Sequence, residues 1–313
     1  MKRKSKSNTR KEIERRLSND ERKELLKELE KIGVENVRKD LESTLLWGSP
    51  DLRDETKQEL RKLINDKEFL IRYLLLAAVL DQQAESETAR ETVRKLFEKY
   101  GYDFFMKPES YFNKIYEVIE FVSKIYEPKT RVIRISKEGI TFFRIGGFML
   151  TIHNISNKYG GLHSYFSKYN NPRALLNVIL SDPLLSGLLY EKAARLYVGW
   201  ITHPMLYVKI FGDDERIRSS IPMVVNGHVT KVLARTGFLD EVSVEEGRNI
   251  VKAEEERKRI EELVRAFREY RDPFLIDYGA FWVGINYCKE ENPNCGQCPL
   301  KNICKKNTKF RAY

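Results

Sequence analysis

All four cysteines of this 313-residue chain fall in one stretch near its C-terminus, CKEENPNCGQCPLKNIC, residues 288–304. The spacing is C-x6-C-x2-C-x5-C, with the thiols at Cys288, Cys295, Cys298 and Cys304. Four soft ligands this close in sequence can wrap a short loop around one centre, a tighter local constraint than any apolar pattern imposes. Zinc and an iron–sulfur cluster both suit four thiolates, and the C-x2-C core alone leaves the two open. A pair of disulfides is the remaining use, and it requires an oxidising compartment.

Charge bears on the partner. The chain carries 56 Lys+Arg against 46 Asp+Glu, a net charge of +10, and its pI is near 9.2. This sign favours a polyanion, either nucleic acid or an anionic membrane surface. No apolar run approaches the ~20 residues of a membrane span. The N-terminus, MKRKSKSNTRKEIERR, is basic but lacks the apolar core of a signal peptide. An intracellular, cytoplasmic protein with reduced cysteines is therefore expected, and with it a metal centre rather than disulfides. The basic run itself reads as a solvated tail or as a phosphate-binding arm.

From about residue 10 onward the periodicity is helical. ERKELLKELEKIG has amphipathic spacing and is expected to stop at Gly33. FLIRYLLLAAVL, residues 69–80, is apolar on nearly all sides and reads as a buried central helix. SETARETVRKLFEKYG reads as a helix ending at Gly101, and PESYFNKIYEVIEFVSKIY as another closed by Pro128. Further helices are expected at 171–181, 187–200 and 227–236. Ser243 and Glu246 have the spacing of a capping box that would open a charged helix reaching about residue 270. Only TRVIRIS, 130–136, reads as a strand. The expected class is all-α, in two lobes.

The full cysteine spacing, ending in CPLKNIC, resembles the [4Fe–4S] loop of the endonuclease III and adenine-DNA glycosylase family, which are helix-hairpin-helix DNA glycosylases. The preceding FLIDYGAFWVGINYC is similar to that family's helix into the first ligand, with Asp277, Gly279 and Ala280 matching its adenine-glycosylase branch. LLLAAVLDQQAES resembles its early buried helix, whose end carries a glutamine that probes the base stack; Gln82 and Gln83 stand there. NGHVTKVLAR resembles the segment that follows the catalytic carboxylate. The resemblance covers roughly residues 70–304, strong at its ends and faint between them.

The resemblance implies a disordered basic tail at 1–9 and N-terminal helices at 10–68 that pack with the C-terminal lobe. It further implies a helical barrel-like domain at 69–225 with a degenerate hairpin near 185–200, and a lobe at 226–313 holding the cluster loop. Its implied partner is duplex DNA with a damaged or mismatched base, and its implied cofactor is a [4Fe–4S] cluster on the four cysteines. It places Gln82, Gln83, Gly187, His228, Lys231, Lys301, Lys305 and Lys306 on the DNA side, with Lys289, Lys309 and Arg311 also near the cluster. Each has a plain structural alternative: a helix-capping glutamine, a satisfied histidine or a solvated lysine.

The pattern departs at the catalytic positions. The family carboxylate is replaced by Asn226, which cannot offset positive charge developing on a sugar ring. In the hairpin match LSGLLYEKAARLYVGW, Gly187 remains, Leu189 replaces the second glycine, and Glu191 takes the lysine register with Lys192 beside it. A Schiff-base role for Lys192 requires a desolvated amine; otherwise it is a surface lysine. Glu191 either faces a cavity or pairs with Arg195 at i+4. Asp213, Asp214 and Glu215, in an insertion after the hairpin, are substitute carboxylates or a solvated turn. Tyr190, Phe142 and Phe143 either stack on an extruded base or belong to a core. The expected function is DNA N-glycosylase action, with lyase activity through Lys192, and the alternative is a catalytically silent lesion-binding relative.

Overall fold

The computed structural model describes residues 9–82, 84–128, 136–267 and 272–313. They are predominantly helical. In chain order the elements are β1 (Thr9–Glu12), α1 (Asn19–Thr44), α2 (Asp54–Lys62), α3 (Lys67–Leu80), α4 (Ser86–Met106) and α5 (Ile115–Ser123). Next come α6 (Lys137–Tyr159), α7 (Leu162–Phe166), α8 (Pro172–Ser181), α9 (Glu191–Thr202), α10 (Glu215–Ser220) and α11 (Gly227–Thr236). The chain closes with β2 (Glu241–Val244), α12 (Ala253–Ala266) and α13 (Pro273–Asn286). None of the described helices is long and apolar enough to cross a membrane.

The chain divides into two compact units, Met1–Val37 with Pro222–Tyr313, and Arg38–Ile221. The first division falls inside α1, well before the boundary at 68 expected from sequence, so residues 38–68 belong with the helical body.

The unit of residues 38–221 is built around α3. Every residue from Phe69 to Leu80 is buried, as the apolar run requires, and Arg72 within it is paired with Glu68. Asp66 caps this helix by accepting the Phe69 N–H at 3.0 Å. Three buried tyrosines tie it to its surroundings through backbone carbonyls: Tyr73 to Leu45, Tyr126 to Leu80 and Tyr197 to Ile71. An aromatic cluster of Phe69, Tyr73, Phe97 and Phe105 joins α3 to α4. α4 runs past Gly101 to Met106 with a kink at that glycine, whose φ is +67°. Residues Pro108–Lys114, read from sequence as the start of one helix, form a 3-10 turn ahead of α5. The expected strand at 130–136 lies outside the described residues apart from Ser136, which caps α6 by accepting the Gly139 N–H.

In the other unit β1 and β2 form an antiparallel pair, Thr9 opposite Val244 and Glu12 opposite Glu241. The capping-box reading of Ser243 and Glu246 fails here. Ser243 sits in a strand between buried Val242 and Val244, and its N–H donates to Glu256 Oε1 at 2.9 Å. The charged helix begins only at Ala253. Gly33 does not end α1 either. A Cβ there would stand 2.1 Å from Leu275 O, and one on Gly279 would stand 1.9 Å from Leu29 O. These glycines let α1 and α13 cross in backbone contact.

Candidate functional site

α13 leads into the cysteine loop. Its end is closed by the Cys288 N–H on Val283 O at 2.9 Å, and Asn292 turns the loop at φ +51°. Lys301 N–H on Cys298 O and Cys304 N–H on Leu300 O wind the last two cysteines into tight turns. Cys288, Cys295, Cys298 and Cys304 all line one narrow apolar cleft, floored by Val232 and Thr236 of α11 and Val283 of α13. Among the described residues, no group of three or more His, Cys, Asp or Glu is placed to hold a metal ion. The thiols face a shared cleft without closing on one point.

The sulfurs are not left to apolar surroundings alone. Arg235 Nη1 donates to Cys288 Sγ at 3.6 Å, and the Lys306 N–H to Cys304 Sγ at 3.3 Å. Burial pushes the Cys298 thiol up to about 11, and the other three sulfurs push in the same direction. Cys304 is raised by burial as well.

Arg235 organises this module. Its guanidinium is buried and also donates to Phe310 O at 2.6 Å and Lys289 O at 2.7 Å. It therefore ties α11, the cysteine loop and the C-terminal segment together. One turn earlier on the same helix face, Lys231 does similar work. It is fully buried, and its ammonium donates to Glu290 Oε1 at 2.7 Å while Glu290 Oε2 accepts the Ala312 N–H at 3.1 Å. Lys231 is thus not placed to meet DNA, because a buried ammonium is held by the carboxylate beside it. The sequence signal for both residues was basic side chains in the apolar register of an amphipathic helix.

His228 is a second correction. Its ring packs edge-on against Phe281 at 6.0 Å and Tyr313 at 5.2 Å, so it belongs to an aromatic cluster. Asn226 caps α11, its side-chain oxygen accepting the Val229 N–H at 3.0 Å. The residue before it, Val225, has φ +45°, a strained setting for a β-branched side chain. Its N–H donates to the buried carboxylate of Asp277 at 2.8 Å. Sequence matching picked out Asp277 but gave it no task.

Cations do face solvent on this unit. Lys289, Lys301, Lys306 and Arg311 are exposed and have no carboxylate partner among the described residues. Lys305 is paired with Glu21, and Lys309 with Glu14. Arg248, Lys309, Arg311 and Tyr313 line a groove of about 560 Å³.

In the other unit Gln82 is buried and spans the hairpin loop. Its Nε2 donates to Leu188 O at 2.8 Å, and its Oε1 accepts the Tyr190 N–H at 2.6 Å. Both ends are engaged, so Gln82 shapes the loop and cannot act as a wedge in the base stack. Gln83 lies outside the described residues. Gly187 adopts φ +87°, a left-handed turn that glycine permits, and Leu189 stands two residues on. Lys192 is exposed in the first turn of α9, without the desolvating surroundings a Schiff-base lysine needs. Glu191 is exposed and accepts from Arg195 Nε at 2.9 Å, the structural alternative. Asp214 caps α10 and pairs with Arg216, while Asp213 pairs with Arg218. This acidic turn is solvated.

No protein-family model matches the chain, and no curated protein matches it.

Proposed function

We propose that this chain is a DNA-binding relative of the helix-hairpin-helix DNA glycosylases, holding a [4Fe–4S] cluster on Cys288, Cys295, Cys298 and Cys304 and binding duplex DNA at a damaged or mismatched base. One observation carries the reading: four thiols line a single apolar cleft with two N–H donors on their sulfurs, and Lys301 and Lys306 of the same lining are exposed without a carboxylate partner among the described residues. A zinc ion would draw its four sulfurs to within about 4 Å of one another, given Zn–S bonds of about 2.3 Å. A cube accepts them at separate corners, which suits sulfurs spread around a cleft. N–H···S bonds and burial are the means by which a protein stabilises and tunes such a cluster. The reduced thiols require a reducing compartment.

In this reading the protein binds lesions without the standard excision chemistry. Asn226 is neutral and spends its oxygen on the helix cap, and Glu191, Asp213 and Asp214 are committed to arginines. A second reading, N-glycosylase and lyase action through Lys192, rests on the family resemblance alone, because that lysine is exposed at the start of α9 and lacks desolvating surroundings.

The deciding experiment is a panel of lesion and mismatch duplexes assayed for binding, base release and borohydride trapping. The expected result is lesion-preferring binding, log K falling with log salt by about 0.9 per phosphate neutralised, and no released base. A trapped adduct that disappears in Lys192→Ala establishes the second reading. Salt-insensitive or absent binding overturns both.

A further inference from the structure

Gly146 and Gly147 stand side by side in the middle of α6, where glycine is less stable than alanine because it loses more backbone freedom on folding. Packing requires neither. A Cβ on Gly146 would come no nearer than 3.9 Å to another atom, and one on Gly147 would meet Leu188 Cδ1 at 3.4 Å, an ordinary contact. The bare backbone at Gly147 forms part of the wall of a cavity of about 510 Å³ between α6 and the loop of residues 183–190.

The walls of this cavity are unusual in two respects. Arg144 lines it while only 7% exposed, and no carboxylate pairs with it among the described residues. Its described contacts are the Tyr190 ring, 5.6 Å away at the centroid, and the Tyr126 hydroxyl. A buried guanidinium without a counter-charge is costly, and a bound anion would complete it. Phe143 and Tyr190 line the same cavity at 66% and 55% exposure, offering aromatic rings to solvent. Ser186 and Thr151 add hydroxyls to the walls, although Thr151 Oγ1 already donates to Leu184 O.

We propose that this cavity binds a nucleotide, its phosphate on Arg144 and its base against Phe143 and Tyr190. A simple carboxylate would satisfy the arginine and make no use of the exposed ring of Phe143. A nucleotide uses both, because stacking on aromatic faces and a guanidinium–phosphate pair are complementary modes of recognition. The site lies wholly within residues 38–221 and involves none of the cysteines. It therefore stands apart from the cluster, although Gly187 and Tyr190 in its wall belong to the hairpin that the proposed function sets against DNA. Its ligand is either a free mononucleotide or an unpaired residue of a single strand.

The test is calorimetric titration of the full-length protein with deoxynucleoside 5′-monophosphates, the matching nucleosides, and a short single-stranded oligonucleotide. Monophosphates are expected to bind at least about tenfold more tightly than nucleosides. Arg144→Gln should weaken them by about tenfold or more, and Gly147→Leu, which puts a bulky side chain into the cavity wall, should weaken them by about tenfold or more as well. An oligonucleotide that binds well above the mononucleotides identifies a strand as the source; equal affinities identify free nucleotide. As a folding control, Gly147→Ala should leave Tm unchanged or raise it by about 1 °C. Absence of binding by the native protein, or affinities unchanged in both Arg144→Gln and Gly147→Leu, overturns the proposal whatever duplex DNA does.

Discussion

The carboxylate of Asp277 accepts the Val225 N–H at 2.8 Å, and so fixes the strained turn from which Asn226 caps α11. Asp277→Ala would leave that buried N–H without its acceptor. Such a loss costs about 1–3 kcal/mol. Asp277→Asn keeps an oxygen in place and should cost less than half as much. Urea denaturation of both variants checks the difference; equal losses would mean that the hydrogen bond is incidental.

Asn226 is a good cap, and so is aspartate, whose charge also complements the helix N-terminus. Asn226→Asp should therefore lie within about 0.5 kcal/mol of the native protein, whereas Asn226→Ala should lose about 1 kcal/mol. The same Asp variant, scored for base release on the lesion panel, tests whether a carboxylate at this position confers excision.

Lys231 and Glu290 should respond unequally. Glu290→Ala strands a fully buried ammonium, at a cost of about 3–5 kcal/mol. Lys231→Met leaves a carboxylate that is a quarter exposed, which water can solvate, and should cost about 1 kcal/mol. Thermal unfolding of the two variants decides this. The reverse order would show that the ammonium is not as enclosed as its burial indicates.

Glu30 gives a pH signature. Burial, then the neighbouring Asp272 charge, raise its carboxyl above the ordinary value of 4.5. Because the folded value is the higher one, the penalty is absent below about pH 4. It grows as pH rises through the folded value and then stays constant. Glu30→Gln should therefore raise Tm at pH 7 and change it little at pH 4. An equal gain at both values would assign the effect to packing instead.

Much of this architecture was legible because single patterns decided it. The apolar run of α3 favours burial, and the helices expected at 171–181 and 227–236 are α8 and α11. The misreadings share a cause. Gly33 resembles a helix stop until α13 lies against it, and EVSV becomes a strand only once Thr9–Glu12 pairs with it. Tertiary contact overrode local preference at both places. The site divided along the same line. The grouping of Cys288 to Cys304 along one cleft follows from their spacing, but the burial of Lys231, Gln82 and Arg144 depends on neighbours distant in sequence.

The central claim is that four thiolates hold an iron–sulfur cube, and iron and acid-labile sulfide per chain in protein purified without air test it most directly. About four of each, both lost in Cys298→Ser, is the expected result. One zinc per chain with no sulfide, or no metal at all, would contradict it.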